Sequence, residues 1–199
     1  MNYPESFQKL VDYFKLLPGV GEKTAQRYAF YILSFEDDKI NGLADTIFNI
    51  KKKVKTCPNC GCMTETDECF NCTLNTNKSN IICVVENQKN VFVFKRLGFN
   101  DIKYHVLGGL ISPVDGINPD DILIDKLLKR IDEEKIDELI LALKSGVEGN
   151  TTALYIKKIL EDKNIKVSQI AQGIPIGTDM EYLDGLTLEM AINNRSNVS

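Results

Sequence analysis

Apolar positions recur with a helical period through the first fifty residues. Phe7, Leu10, Val11 and Phe14 stand at i, i+3, i+4 and i+7, which predicts an amphipathic helix over residues 6–17. Pro18-Gly19-Val20-Gly21 breaks it, because proline lacks the amide hydrogen a helix needs and glycine frees the backbone. Ala25, Tyr28, Ala29 and Ile32 repeat the spacing in a second helix. Ile40, Leu43, Ala44 and Ile47 repeat it in a third, which ends in Lys51-Lys52-Lys53. Cysteines then crowd residues 57–72, and the polar residues 73–80 read as a linker.

The period changes at residue 81. Ile81-Ile82-Cys83-Val84-Val85 is a short apolar run ending in Glu86, the pattern of a strand buried on both faces. Residues 87–97 read as a helix, 104–107 as a strand, 119–134 as a helix, 139–142 as a strand, 149–162 as a helix and 165–170 as a strand. Such alternation implies a parallel sheet covered by helices, since parallel strands need long crossovers. Together with the helical start, this gives a multidomain α+β chain with an α/β core. From Gly173 onward the pattern is mixed, and the last seven residues are mostly polar and read as loose.

The 199 residues, 43% of them apolar and 26% charged, suffice for small modules sharing a modest core. No apolar run approaches the roughly 20 residues that span a bilayer. The opening MNYPESFQKL has no apolar signal-peptide core, so a cytosolic location is expected. There disulfides are rare and paired cysteines usually mean metal. The net charge of −4 speaks against a broadly basic nucleic-acid binder. Its distribution changes that picture. Residues 1–103 hold 14 Lys/Arg and 12 Asp/Glu, and residues 104–199 hold the remaining 10 and 16 of the totals of 24 and 28. Any DNA contact should therefore be local and lie in the first half.

Cys57-Pro-Asn-Cys60 and Cys69-Phe-Asn-Cys72 are two copies of one pattern. A two-residue spacer lets both sulfurs of a pair face one ion, and two pairs complete a tetrahedron. One structural zinc on Cys57, Cys60, Cys69 and Cys72 is expected, with no open position for catalysis. Gly61 suits the tight knuckle. Cys62 is a poorly spaced competitor for a ligand position, and Cys83 reads as a core residue.

Leu17-Pro18-Gly19-Val20-Gly21-Glu22-Lys23-Thr24-Ala25-Gln26-Arg27 lies between two helices. A turn through Gly19 and Gly21 presents the free amides of the second helix to a phosphate. Lys23 and Arg27 are four apart and share a helical face beside it. A P-loop is excluded, since Gly21 is followed by Glu22 and Leu16 stands where its first glycine should be. A plain connection between helices is the simpler alternative. The lysines from Lys51 to Lys55 are the next DNA-binding candidates, although cations at a helix C-terminus also satisfy its dipole.

Leu141-Ala142-Leu143-Lys144-Ser145-Gly146-Val147-Glu148, with Glu86, resembles the Toprim module of topoisomerases and primases. That module gathers a Glu and an Asp-x-Asp pair at strand ends to hold magnesium. Here the two Asp positions are Lys144 and Gly146, which leaves Glu86 and Glu148 with a lysine where a cation would bind. Metal-dependent strand cleavage is not expected. Glu86, Lys144 and Glu148 are instead candidates for partner contact. Glu148 also has a simpler reading, as the cap of a helix starting at residue 149. His105, the one histidine, reads as structural.

Taken in order, these parts resemble the RecR family of bacterial recombination mediators. The resemblance also rests on Tyr104-His105-Val106-Leu107-Gly108-Gly109-Leu110-Ile111-Ser112-Pro113, on Asp115-Gly116-Ile117 with Pro119-Asp120-Asp121, on Val147-Glu148-Gly149, and on Gly173-Ile174-Pro175-Ile176-Gly177. It implies a helix-hairpin-helix domain (1–54), a four-cysteine zinc finger (55–76), a Toprim domain (77–172) and a C-terminal tail (173–199). It also implies a ring-like homotetramer at the nucleoid that binds single- and double-stranded DNA without sequence preference. Such a ring would work with RecO and RecF to load RecA on single strands. One departure is Asn150, where the family usually has Glu. The rival reading is a Toprim-type nuclease or primase-like enzyme using Glu86 and Glu148, and a third is a scaffold that never touches DNA.

Overall fold

A computed structural model describes residues 3–75, 78 and 80–195. The chain divides into two compact units, residues 1–54 and 55–199.

The first unit is helical. α1 (Glu5–Lys15) and α2 (Glu22–Ile32) pack as a pair, burying Phe7 and Val11 of α1 against Ala25 and Ala29 of α2. The small alanines let the helices approach closely, and Leu10, Phe14 and Val20 close the cluster. α3 (Asp37–Lys53) carries the expected apolar stripe but has no fully buried residue. Ile40, Leu43, Ala44 and Ile47 instead line an apolar groove of about 430 Å³ with Leu10, Tyr13, Phe14, Leu17 and Ile32.

The second unit begins with a short hairpin, β1 (Lys55–Thr56) and β2 (Met63–Thr64), followed by one turn of helix, α4 (Phe70–Thr73). The remainder is a four-stranded, all-parallel sheet of order β4-β3-β5-β6, with β3 (Ile81–Val85), β4 (Lys103–Val106), β5 (Glu138–Ala142) and β6 (Lys166–Gln169). The crossovers carry α5 (Gln88–Arg96), α6 (Ile124–Glu134) and α7 (Val147–Ile159), and α8 (Gly185–Asn193) follows the sheet.

Successive strand residues face opposite ways, so one short sequence builds two cores. Ile82 and Val84 of β3, with Leu139 and Leu141 of β5, pack with Leu127 and Ile131 of α6 and Ile156 of α7. Cys83 and Val85 face the other way, with Val91 of α5, Tyr104, Val106 and the paired cysteines.

Three boundaries depart from the sequence reading. The helix expected over 119–134 is split into a 3-10 turn, Pro119–Asp121, and α6 from Ile124. Tertiary bonds pull the chain straight between them: Leu123 N–H donates to Leu107 O (2.9 Å), and Leu123 O accepts from His105 Nε2 (2.8 Å). α7 begins at Val147, not 149, after Gly146 at φ +143. Glu148 therefore lies inside the first turn and is not its cap. Of the tail read as loose, Asn193 ends α8, and residues 196–199 lie outside the described residues.

Candidate metal centre and nucleic-acid interface

The four paired cysteines converge. Their sulfurs all lie within 4.8 Å of one another, with Cys57–Cys72 at 3.8 Å and Cys60–Cys69 at 3.6 Å. Tetrahedral ligands at a zinc–sulfur distance of about 2.3 Å stand about 3.8 Å apart, so the donor set and spacing fit such an ion. Each knuckle is closed by its own backbone, Gly61 N–H donating to Cys57 O (3.0 Å) and Cys72 N–H to Cys69 O (2.9 Å). Cys62 is buried nearby but stands outside the four-sulfur group, its carbonyl accepting from Cys57 N–H at 2.8 Å. Cys83 lies in the core, where burial pushes its thiol up to about 12.

The knuckles are fastened to the outer edge of β4. Val106 N–H donates to Cys60 O (2.8 Å). The Asn71 amide donates to Tyr104 O (2.8 Å) and accepts from Tyr104 N–H (2.7 Å), replacing the neighbouring strand that an edge lacks. Only glycine fits at position 61: its φ is +72, and a Cβ there would overlap the carbonyl oxygen of Val106. On the other face of β4, the fully buried Arg130 donates to Tyr104 O (3.0 Å), to His105 Nδ1 (3.3 Å) and to Glu134 (2.7 Å). Lys103 Nζ also reaches Glu134 at 2.6 Å. His105 is thus bonded at both ring nitrogens as the neutral Nε2–H tautomer. Burial, with Arg130 alongside, holds it down at about 4.

In the helical unit, Gly19 turns with φ +79 and Gly21, extended at φ −85, precedes α2. Among the described residues no side chain caps this N-terminus, and a Cβ at either glycine would meet nothing within 4 Å. Lys23 and Arg27 are both exposed on α2, with Arg27 over the Tyr28 ring at 5.7 Å. Glu22, in the first turn, is held by Lys15 at 2.6 Å, so its charge is answered locally.

A second set of predicted residues follows two neighbouring strands. The connections of β3 and β5 leave in opposite directions, which opens a crevice at their C-terminal ends. Glu86 follows β3, and Lys144 and Glu148 follow β5. Lys144 Nζ stands 3.9 Å from Glu148 Oε2, with the lysine exposed and the glutamate half-buried. Gly149 lets the first turn of α7 pack on this loop, since a Cβ there would overlap Lys144 O.

Three family models match the chain in succession. Residues 7–50 match RecR, helix-hairpin-helix; residues 80–171 match the Toprim domain; residues 173–196 match RecR, C-terminal. The chain belongs to the RecR family. Its helix-hairpin-helix and Toprim domains, four-cysteine cluster and helix-flanked parallel sheet are those of a recombination mediator. Among the described residues no helix is long and apolar enough to cross a membrane. Within this family frame, the sequence reading missed Asn71 and Arg130. Both act on Tyr104 from 33 and 26 residues away, and no local pattern announces such a partner.

Proposed function

We propose that this chain is a non-catalytic, DNA-binding recombination mediator of DNA repair. Gly19, Gly21, Lys23 and Arg27 hold phosphate at the hairpin, and zinc on Cys57, Cys60, Cys69 and Cys72 is structural. The observation that carries this reading is the hairpin, where two exposed cations, without an ion pair among the described residues, stand beside helix amides at an open turn. Such contacts position a phosphate backbone without reading bases.

An acidic chain with so few hairpin cations binds weakly alone. Several hairpins on a ring-like homotetramer raise affinity by roughly 10²–10⁴ through avidity. Glu86, Lys144 and Glu148 form the surface for RecO or RecF, through which the ring promotes RecA loading on single strands at the nucleoid. A Toprim-type enzyme is disfavoured by its own donor set: Lys144 and Gly146 stand in place of two acids, and the lysine lies against Glu148.

The test is binding of labelled single-stranded and duplex oligonucleotides across a salt series. Lys23→Glu or Arg27→Glu should weaken both at every sequence and flatten the salt dependence. Unchanged affinity in both variants would move the site elsewhere.

A further inference from the structure

Three phenyl rings stand out of the second unit where a folded domain normally hides them. Phe70, between Cys69 and Asn71 on the second knuckle, is 70% exposed; Phe92 of α5 is 58% exposed and Phe99, just beyond it, 52%. The knuckles and α5 are joined: Met63 N–H donates to Gln88 Oε1 at 2.9 Å, and Lys95 Nζ lies over the Phe70 ring at 5.7 Å. The other side of α5 is committed to the core through Val91 and Phe94, so the exposed rings are not a loose helix.

The α5 segment that carries two of these rings is positively charged. Residues 87–100 hold Lys89, Lys95 and Arg96 and no Asp or Glu, in a chain whose net charge is −4. Lys89 and Arg96 are exposed beside Phe92 on α5, and among the described residues none of the three cations makes an ion pair.

We propose that Phe70, Phe92 and Phe99, with Lys89, Lys95 and Arg96, form a second nucleic-acid site selective for single strands. Unstacked bases lie on the rings and the phosphates on the cations. Each feature selects part of the ligand. Unpaired cations select a polyanion, while exposed rings select one whose bases are free to stack, which a duplex does not offer. An acidic protein surface would answer the cations but leave the rings without bases to stack, and a second copy of this face would bring like charges together. The site shares with the hairpin reading only the premise that the chain works on DNA.

The experiment uses the full-length protein with an oligothymidylate and a blunt duplex of equal length, by fluorescence anisotropy. Phe70→Ala/Phe92→Ala should lose about tenfold or more in oligothymidylate affinity and change duplex affinity little. Lys95→Glu/Arg96→Glu should weaken oligothymidylate binding and lower its salt slope. Lys23→Glu/Arg27→Glu should weaken the duplex yet leave residual oligothymidylate binding, which the phenylalanine substitutions then abolish. Failure of the hairpin reading shows as wild-type affinity of the hairpin variant on both probes. The present proposal is overturned if the phenylalanine variant, with normal metal content and circular dichroism, binds oligothymidylate like wild type. It is equally overturned if that variant changes the native mass, which would make the face a subunit contact.

Discussion

The side-chain amide of Asn71 meets the backbone of Tyr104 at both its N–H and its C=O, at 2.7 and 2.8 Å. One residue of a cysteine knuckle thereby takes the place of a fifth strand beside β4. Its counterpart in the first knuckle behaves differently: Asn59 Nδ2 stands 3.7 Å from Cys72 Sγ and, among the described residues, makes no hydrogen bond to a strand. Two copies of one sequence pattern thus do two jobs, one turned towards the sulfurs and one towards the sheet.

Asn71→Ala should accordingly destabilise the chain more than Asn59→Ala. It strands the Tyr104 N–H in a buried place, at a cost of about 1–3 kcal/mol. The Tyr104 carbonyl keeps Arg130 as a donor, so the loss stays within that range. Urea unfolding of the two variants in metal-replete buffer measures the difference. Equal destabilisation would mean that the Asn71–Tyr104 bonds contribute nothing beyond generic packing.

Much of this arrangement was legible in the sequence. The helical periods of residues 6–47 and the apolar run at 81–85 correspond to α1, α2, α3 and β3, because each burial pattern follows its own backbone period. The doubled Cys-x-Asn-Cys was equally readable, since metal ligation demands a fixed short spacing. The β1–β2 hairpin and α4 were not, because strands of two residues and a helix of four carry no period. The break at Ile122-Leu123 was hidden for another reason: it is imposed by His105 and Leu107, which lie far away in sequence. The apolar stripe of α3 was visible, but not that it would line an open groove.

One metal ion per chain is expected by elemental analysis, and it should be zinc. Cys→Ser at position 57, 60, 69 or 72 should lower both metal content and stability, because a site absent from the unfolded chain couples ion binding to folding. Cys62→Ser and Cys83→Ser should keep the full metal complement, since neither sulfur joins the four-sulfur group. Metal loss should loosen more than the knuckles. Cys60 O and Asn71 would no longer hold the edge of β4, so the Tyr104 and Val106 amides should exchange faster in the chelated protein.

Stability should fall on mild acidification through His105. Its folded pKa of about 4 lies below the ordinary value near 6.5. Between those limits the unfolded chain takes up a proton that the folded chain refuses. The contribution is therefore fully present above about pH 6.5 and is lost as pH falls towards 4, by about 3 kcal/mol in all. Glu134 adds the same sign at lower pH. Burial alone would raise its carboxyl, but the hydrogen bonds and charges of Arg130 and Lys103 win and lower it. Since acid also protonates metal-bound thiolates, the comparison must be with His105→Asn in saturating zinc. That variant should show a flatter stability profile between pH 6.5 and 5, and parallel profiles would remove His105 from the account.

Glu148 separates a partner-binding surface from a merely structural turn. Its contact with Lys144 is long, at 3.9 Å, and open to solvent on the lysine side, so the pair is worth at most about 1 kcal/mol to folding. The residue sits in the first turn of α7, where a negative charge helps the helix dipole by about 0.3–1 kcal/mol. Glu148→Lys should therefore leave the fold and bare DNA binding nearly intact. Glu148→Gln isolates the charge, and a paired Lys144→Glu/Glu148→Lys swap keeps the local ion pair while reversing its polarity. If the crevice is where RecO or RecF docks, all three variants should weaken association. The charge reversals should cost most, since a close charged pair across an interface carries roughly 1.5–7 kcal/mol. Titration of RecO against each variant at two salt concentrations reads this directly. Wild-type affinity for the swap but not for Glu148→Lys alone would show that the pair matters only as a local strut, and that the partner binds elsewhere.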